Sequence, residues 1–214
     1  MSTKPKFNAT NDPKVSIIGT TTWGTTLGII LARKGIQVSI LCRTDQEAQE
    51  LSRRREHGRF LPGVTIPDSI CFSHDPDFLK DYSSLVILAV PSDRFRNNVQ
   101  HIKESLGTGS LILSVTKGLE LPDGKRMSQI LHEELPVELH PGICALSGPN
   151  LAKEIVNDKP ASTVVAGLNE TSATSIQDIL ISPTFRVYTS TDLVGLELCG
   201  TLKNILAIGV GISD

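Results

Sequence analysis

The run Lys14-Val-Ser-Ile-Ile-Gly19-Thr-Thr-Thr-Trp-Gly24-Thr-Thr-Leu-Gly28 is a short apolar stretch that halts at a glycine and passes into a helical pattern. A strand that turns into a helix at a glycine is the geometry that receives the diphosphate of a dinucleotide. The first glycine permits the tight turn and a later one lets the helix pack close to the strand. The first free amides of the helix, with its dipole behind them, then face the anion. Gly19 and Gly24 hold those two positions. The middle glycine of G-x-G-x-x-G falls on Thr21, whose β-branched side chain has to turn away or crowd the ligand. Strand–turn–helix units with glycines also occur merely to pack α/β layers, so the motif alone leaves binding open.

Apolar runs and helical patterns alternate along the rest of the chain. Strands are expected at Val15–Ile18, Gln37–Leu41, Ser69–Ser73, Leu85–Val90, Leu111–Val115, Ile143–Leu146, Ala161–Ala166 and Phe185–Tyr188. Helices are expected at Gly24–Lys34, Asp45–Arg55, Asp93–Leu106, Gly124–Glu134 and Glu170–Leu180. Short, continuously apolar strands separated by helices describe a parallel sheet covered on both faces, a doubly wound Rossmann-like α/β fold. In such sheets ligands sit at the carboxyl ends of the strands. Those ends carry Gly19, Arg43, Pro91-Ser92, Lys117 and Ser147-Gly148-Pro149, which are expected to converge on one cleft. Each is also an ordinary turn residue, Pro91 above all.

The 214 residues suffice for one large domain or for a domain plus part of another, and the net charge of −2 gives no basic surface for nucleic acid or membrane. Cys42, Cys71, Cys144 and Cys199 have no C-x-x-C spacing, and reduced cysteines rather than a metal site are expected. The N-terminus has no apolar leader pattern, which makes a cytoplasmic location the default and the sequons at Asn8 and Asn169 coincidental. Residues 1–12 are polar and read as a disordered tail, with a cofactor-binding domain over 13–190.

The stretch from Asp192 to Asp214 is helical in period. Val194, Leu198, Leu202, Ile205 and Leu206 form one face, and Gly195, Cys199, Gly200, Ala207 and Gly211 form a small-residue stripe. Lys203 emerges from that stripe. A lysine with poor hydration needs a partner, although it can also snorkel to solvent. The helix is too apolar for a terminal surface helix, so residues 191–214 read as the first helix of a truncated helical domain. Its apolar face is expected to drive self-association, most simply as a homodimer through 192–214, rather than to span a membrane.

Seven motifs occur in order: Gly19-Thr-Thr-Thr-Trp-Gly24, Phe60-Leu-Pro-Gly63, Ala89-Val-Pro-Ser92, Thr116-Lys-Gly-Leu-Glu120, Ser147-Gly-Pro-Asn-Leu-Ala-Lys-Glu154, Phe185-Arg-Val-Tyr188 and Leu202-Lys-Asn-Ile205. From about Lys14 to Asp214 the chain resembles bacterial NAD(P)-dependent glycerol-3-phosphate dehydrogenase. The resemblance implies interconversion of sn-glycerol 3-phosphate and dihydroxyacetone phosphate by hydride transfer with NAD or NADP. It implies cofactor contacts at Gly19, Thr22, Trp23, Gly24, Arg43, Pro91, Lys117 and Ala152. It implies substrate contacts at Lys117, Gly148, Asn150, Lys203 and Asn204, with Lys203 the proton acceptor.

Chemistry agrees with that assignment. Ketone reduction needs a proton donor at the oxygen and the reverse needs a base. A lysine serves both if a second cation or burial lowers its pKa. Arg43 stands about twenty residues past the glycines, where an acidic residue usually holds the ribose, and a guanidinium there tolerates a 2′-phosphate. Thr21 and Asn150 depart from the family pattern, which has glycine at the first and serine or threonine at the second. The helical domain that completes the family's substrate pocket with an aspartate, an arginine and an asparagine is not represented. The expectation is therefore a cofactor-binding portion inactive by itself. The alternative is a non-catalytic Rossmann fragment that binds nucleotide or self-associates.

Overall fold

The computed structural model describes residues 13–80 and 84–213; the side chains of Asn204 and Ser213 are outside the description, as is the tail expected at 1–12. The chain runs β1 (Lys14–Ile18), α1 (Thr22–Arg33), β2 (Gln37–Leu41), α2 (Asp45–Arg54), β3 (Glu56–His57), β4 (Leu61–Thr65), β5 (Ile70–Ser73) and β6 (Leu85–Leu88). It continues with α3 (Phe95–Ile102), β7 (Leu111–Ser114), β8 (Leu119–Glu120), β9 (Lys125–Arg126), α4 (Met127–Glu134), β10 (Ile143–Ser147), α5 (Ala152–Val156), β11 (Ala161–Gly167), α6 (Glu170–Leu180), β12 (Phe185–Ser190) and α7 (Leu193–Ser213).

Eight strands form one sheet in the order β12-β11-β10-β7-β6-β1-β2-β5. Consecutive residues of a strand feed opposite faces. Ile17 joins Leu27 and Ile40 under α1, whereas Ile18 joins Leu88, Phe95 and Val99 under α3. Layers of helix on both faces leave the central strands apolar throughout, which is why β6 is buried at every residue.

The sheet is not wholly parallel, contrary to the sequence expectation. β11 pairs antiparallel to β10, and β12 runs parallel to β11, so the last two strands are reversed against the other six. The connection after β10, residues 148–160, holds only the five-residue α5, and β11 returns beside β10 in the opposite direction.

Two helices differ from the sequence reading. Gly124 has φ of +67° and lies between β8 and β9, so the helix expected from Gly124 begins only at Met127. Over 93–106 only Phe95–Ile102 is α-helical, with a tighter turn at either end. α7 packs on the sheet through its first two turns, where Leu193 is buried with Ala145 and Ala166, Leu196 packs beside them, and the buried Gly200 comes close to Ser147. Beyond it the apolar side chains are exposed, from Leu202 at 50% to Ile212 at 81%.

Candidate functional site

Gly19 ends β1 with φ of +102°, and a Cβ there would meet the Ala89 carbonyl oxygen and Val90 at 2.8 Å each. Only glycine combines that backbone with that approach. A Cβ on Gly24 would lie 2.7 Å from the Gly19 carbonyl oxygen and 2.9 Å from Ala89 Cβ. These two glycines bring the N-terminus of α1 against the carboxyl end of β6.

Thr21 occupies the middle position without glycine's conformation: its φ of −62° and ψ of 164° are extended. Its hydroxyl accepts from the Gly24 amide at 3.2 Å and donates to the Ala89 carbonyl oxygen at 2.8 Å. The cap uses one of the free amides of the helix. The amides of Thr22 and Trp23, at the first two helical positions, precede the first intrahelical bond, from Thr25 to the Thr21 carbonyl.

In front of this N-terminus lies an open cleft of about 330 Å³. Thr22, Trp23, Pro91, Lys117, Asn150 and Ala152 all line it, so six of the predicted site residues converge. Trp23 is steadied edge-on against Phe185, 6.3 Å between ring centroids. The Thr116 hydroxyl donates to the Val90 carbonyl oxygen at 2.7 Å, and Gly118, with φ of +127°, passes close to Ser92. The loop after β7 is thereby held against the loop after β6, and Lys117 is aimed across the cleft.

Lys117 is half-buried and donates to the Gly148 carbonyl oxygen at 3.2 Å. Burial pushes its pKa below the ordinary lysine value, and the nearby charge of Lys203 pushes it the same way. Lys203 reaches this place because α7 runs close along the end of β10 at Gly200, where a Cβ would lie 2.6 Å from Ser147 Oγ and 3.7 Å from Lys117 Cγ. Asn150 donates through Nδ2 to Thr163 Oγ1 at 3.0 Å, and that hydroxyl passes its own proton to the Ser147 carbonyl. The proton order fixes which way the amide faces.

Arg43 is exposed and is not among the residues lining the cleft; it stands past the end of β2. Its backbone N–H donates to Glu47 Oε2 at 3.0 Å, while Glu47 Oε1 accepts from the Thr20 hydroxyl at 2.6 Å. One carboxylate thus ties the loop after β2 to the glycine turn. Asn204 follows Lys203 on α7, and its side chain lies outside the described residues. Among the described residues no cluster of metal-ligating side chains occurs, and all four cysteines are free.

Residues 14–173 match the family described as NAD-dependent glycerol-3-phosphate dehydrogenase N-terminus. The chain belongs to the NAD-dependent glycerol-3-phosphate dehydrogenase family. A glycerol-3-phosphate dehydrogenase (NAD(P)+) of Dehalococcoides mccartyi is 44% identical over 210 residues, covering 94% of this chain and 56% of that protein. One from Chlorobium limicola is 38% identical and 60% covered. The crystal structure of glycerol-3-phosphate dehydrogenase from Coxiella burnetii superposes with a TM-score of 0.85 at 30% identity, covering 95% of this chain and 61% of that one. The chain therefore spans between 56% and 61% of the length of these relatives.

Sequence reasoning overlooked Glu47, Thr163 and Glu197. Thr163 carries no local signal, because its partner Asn150 lies 13 residues away; Glu47 sits three residues past the Thr44 cap, but its partner Thr20 lies 27 residues away. Glu197 had one: it is the only acidic residue in α7, as Lys203 is the only basic one.

Proposed function

We propose that this chain is the cofactor-holding portion of a cytoplasmic enzyme that interconverts sn-glycerol 3-phosphate and dihydroxyacetone phosphate with NAD or NADP. The observation that carries this reading is Lys117, which lines the cleft in front of the N-terminus of α1, donates to the Gly148 carbonyl oxygen and feels the charge of Lys203.

The residues fit a dinucleotide. Gly19 and Gly24 make a cradle that any Cβ would fill, and the Thr22 and Trp23 amides offer a positive helix end to a diphosphate. Pro91 and Ala152 wall the cleft on either side for the nicotinamide half. Arg43, outside the cleft, meets the adenosine ribose and accommodates a 2′-phosphate. When bound, the dinucleotide supplies or takes up the hydride.

The chain's own groups manage charge and proton. In ketone reduction the Lys203 ammonium gives its proton to the substrate oxygen; in the reverse direction the neutral amine removes the hydroxyl proton. Lys117 adds positive charge where the oxygen and the phosphate are bound. Gly148 and Asn150 contact the substrate, and Asn204 supports Lys203.

The exposed apolar flank of α7, together with the length of the relatives, supports reading residues 191–214 as the first helix of a helical domain and this chain as inactive by itself. With that face open the chain self-associates through 192–214. Leu193–Ile212 is long and apolar enough to cross a membrane by length and composition. The ion pair of Glu197 with Arg126 at 2.7 Å supports a helix docked on protein instead, since a charge held within a bilayer is costly.

The test is titration of the chain with NADPH, followed by fluorescence, beside a turnover assay with dihydroxyacetone phosphate. We expect saturable binding and little or no turnover. No binding would overturn the reading, and a turnover number near that of ordinary enzymes, on the order of 10 per second, would overturn the inactivity.

A further inference from the structure

Glu197 is the one carboxylate on α7, and its side chain is only 8% exposed. It accepts from Arg126 Nη1 at 2.7 Å, from the Ser128 amide at 2.8 Å and from the Ser128 hydroxyl. These donors belong to the first turn of α4 and the residue before it. α4 is itself seated in the core through Met127, Ile130 and Leu131. A carboxylate of α7 thus closes the N-terminus of a helix that cannot move.

The spacing along α7 shows what this fixes. Glu197, Gly200 and Lys203 follow one another at intervals of three, so Gly200 stands between the other two, which are roughly 120° apart around the helix. Gly200 touches Ser147 and the stem of Lys117. Beyond it the apolar side chains of α7 are exposed, so the placement of Lys203 depends on few contacts: Leu193, Leu196, Glu197 and Gly200. Apolar contacts of a leucine-rich helix tolerate sliding and rotation. A buried carboxylate with three donors is satisfied in one register, and any other leaves it and Arg126 unpaired.

We infer that Glu197 is a positioning residue that sets the register of α7 and so holds Lys203 beside Lys117. The inference rests on the role of Lys203 proposed above, but its test does not require turnover. The 214-residue chain is treated with a short amine-to-amine crosslinker, and the 117–203 crosslink is quantified by peptide mapping, with circular dichroism as the control for folding.

Glu197→Ala is expected to lower that crosslink about tenfold, as the clamp opens locally. Glu197→Gln keeps the shape and one good acceptor but loses the charge, and is expected to lower it about threefold. In parallel, the pH profile of amine labelling at Lys117 is expected to move toward that of an ordinary lysine in Glu197→Ala, as it does in Lys203→Ala. The double variant is expected to show no further movement, because both changes remove the same neighbour. Should Glu197→Ala fail to fold, the Gln variant decides. A folded variant with an unchanged crosslink overturns the inference. An unchanged Lys117 profile in Lys203→Ala, with the crosslink still dependent on Glu197, would instead count against the lysine pair and leave the positioning role upheld.

Discussion

The hydroxyl of Thr21 donates to the carbonyl oxygen of Ala89 at 2.8 Å while accepting from the Gly24 amide. The residue at the position where glycine was expected is thus a cap that bolts α1 to the end of β6. Thr21→Ala removes both bonds and is expected to lower stability by about 1–2 kcal/mol, from a lost N-cap and a lost internal hydrogen bond. Thr21→Ser keeps both and is expected to stay within about 0.5 kcal/mol of the parent. Urea denaturation of the three proteins checks this. Equal midpoints for the parent and the alanine variant would show that the cap is dispensable.

Lys117 makes stability depend on pH in alkaline solution. Its folded-state pKa lies below the unfolded value because of burial and Lys203. Between those two values the unfolded chain holds the extra proton, so this residue's contribution to stability improves as pH rises toward about 10.4. The buried thiol of Cys144, pushed up to about 12, acts in the opposite sense, since its protonated form is retained on folding. The difference between the parent and Lys117→Met isolates the lysine. We expect the stability difference between the parent and the methionine variant to move in the parent's favour in alkaline solution, between the lowered folded-state value and about 10.4, in denaturant titrations, and a constant difference there would refute the assignment.

The ribose contact proposed for Arg43 makes the two cofactors distinguishable. Arg43→Ala is expected to weaken NADPH binding by about 1.5–3 kcal/mol, the worth of a charge-assisted hydrogen bond, and NADH binding by much less. Fluorescence titrations with each dinucleotide read the two effects. Equal losses would show that the guanidinium meets no 2′-phosphate.

The flank of α7 should hold two chains together. Ile205 at 63%, Leu206 at 68% and Ile208 at 64% exposure lie on one continuous helix. Covering each is worth about 1.5–3 kcal/mol. Light scattering at micromolar concentration is expected to give a dimer, and Leu206→Lys is expected to shift it toward monomer. A parent chain that is already monomeric would refute self-association.

Much of this molecule was legible before any coordinates. Period-2 and continuous apolar runs located β2 at Gln37–Leu41, and helical period located α6 at Glu170–Leu180, both with the observed bounds. The steric demands behind Gly19 and Gly24 were also readable, because a tight turn and a close helix–strand contact are local. So were the lysines, whose chemistry belongs to the residue type. The reversal of β11 and β12 was not legible, since a strand's own apolar pattern does not carry its direction in the sheet. Nor was the use of Thr21 as a cap, because its second partner, Ala89, is 68 residues away. Glu197 shows the division most clearly. The sequence by itself determined that one helix carries a lone carboxylate and a lone lysine. Only the tertiary structure decided that the carboxylate is closed off by Arg126 and Ser128, because pairing a buried charge depends on which distant donors the fold brings within hydrogen-bond range.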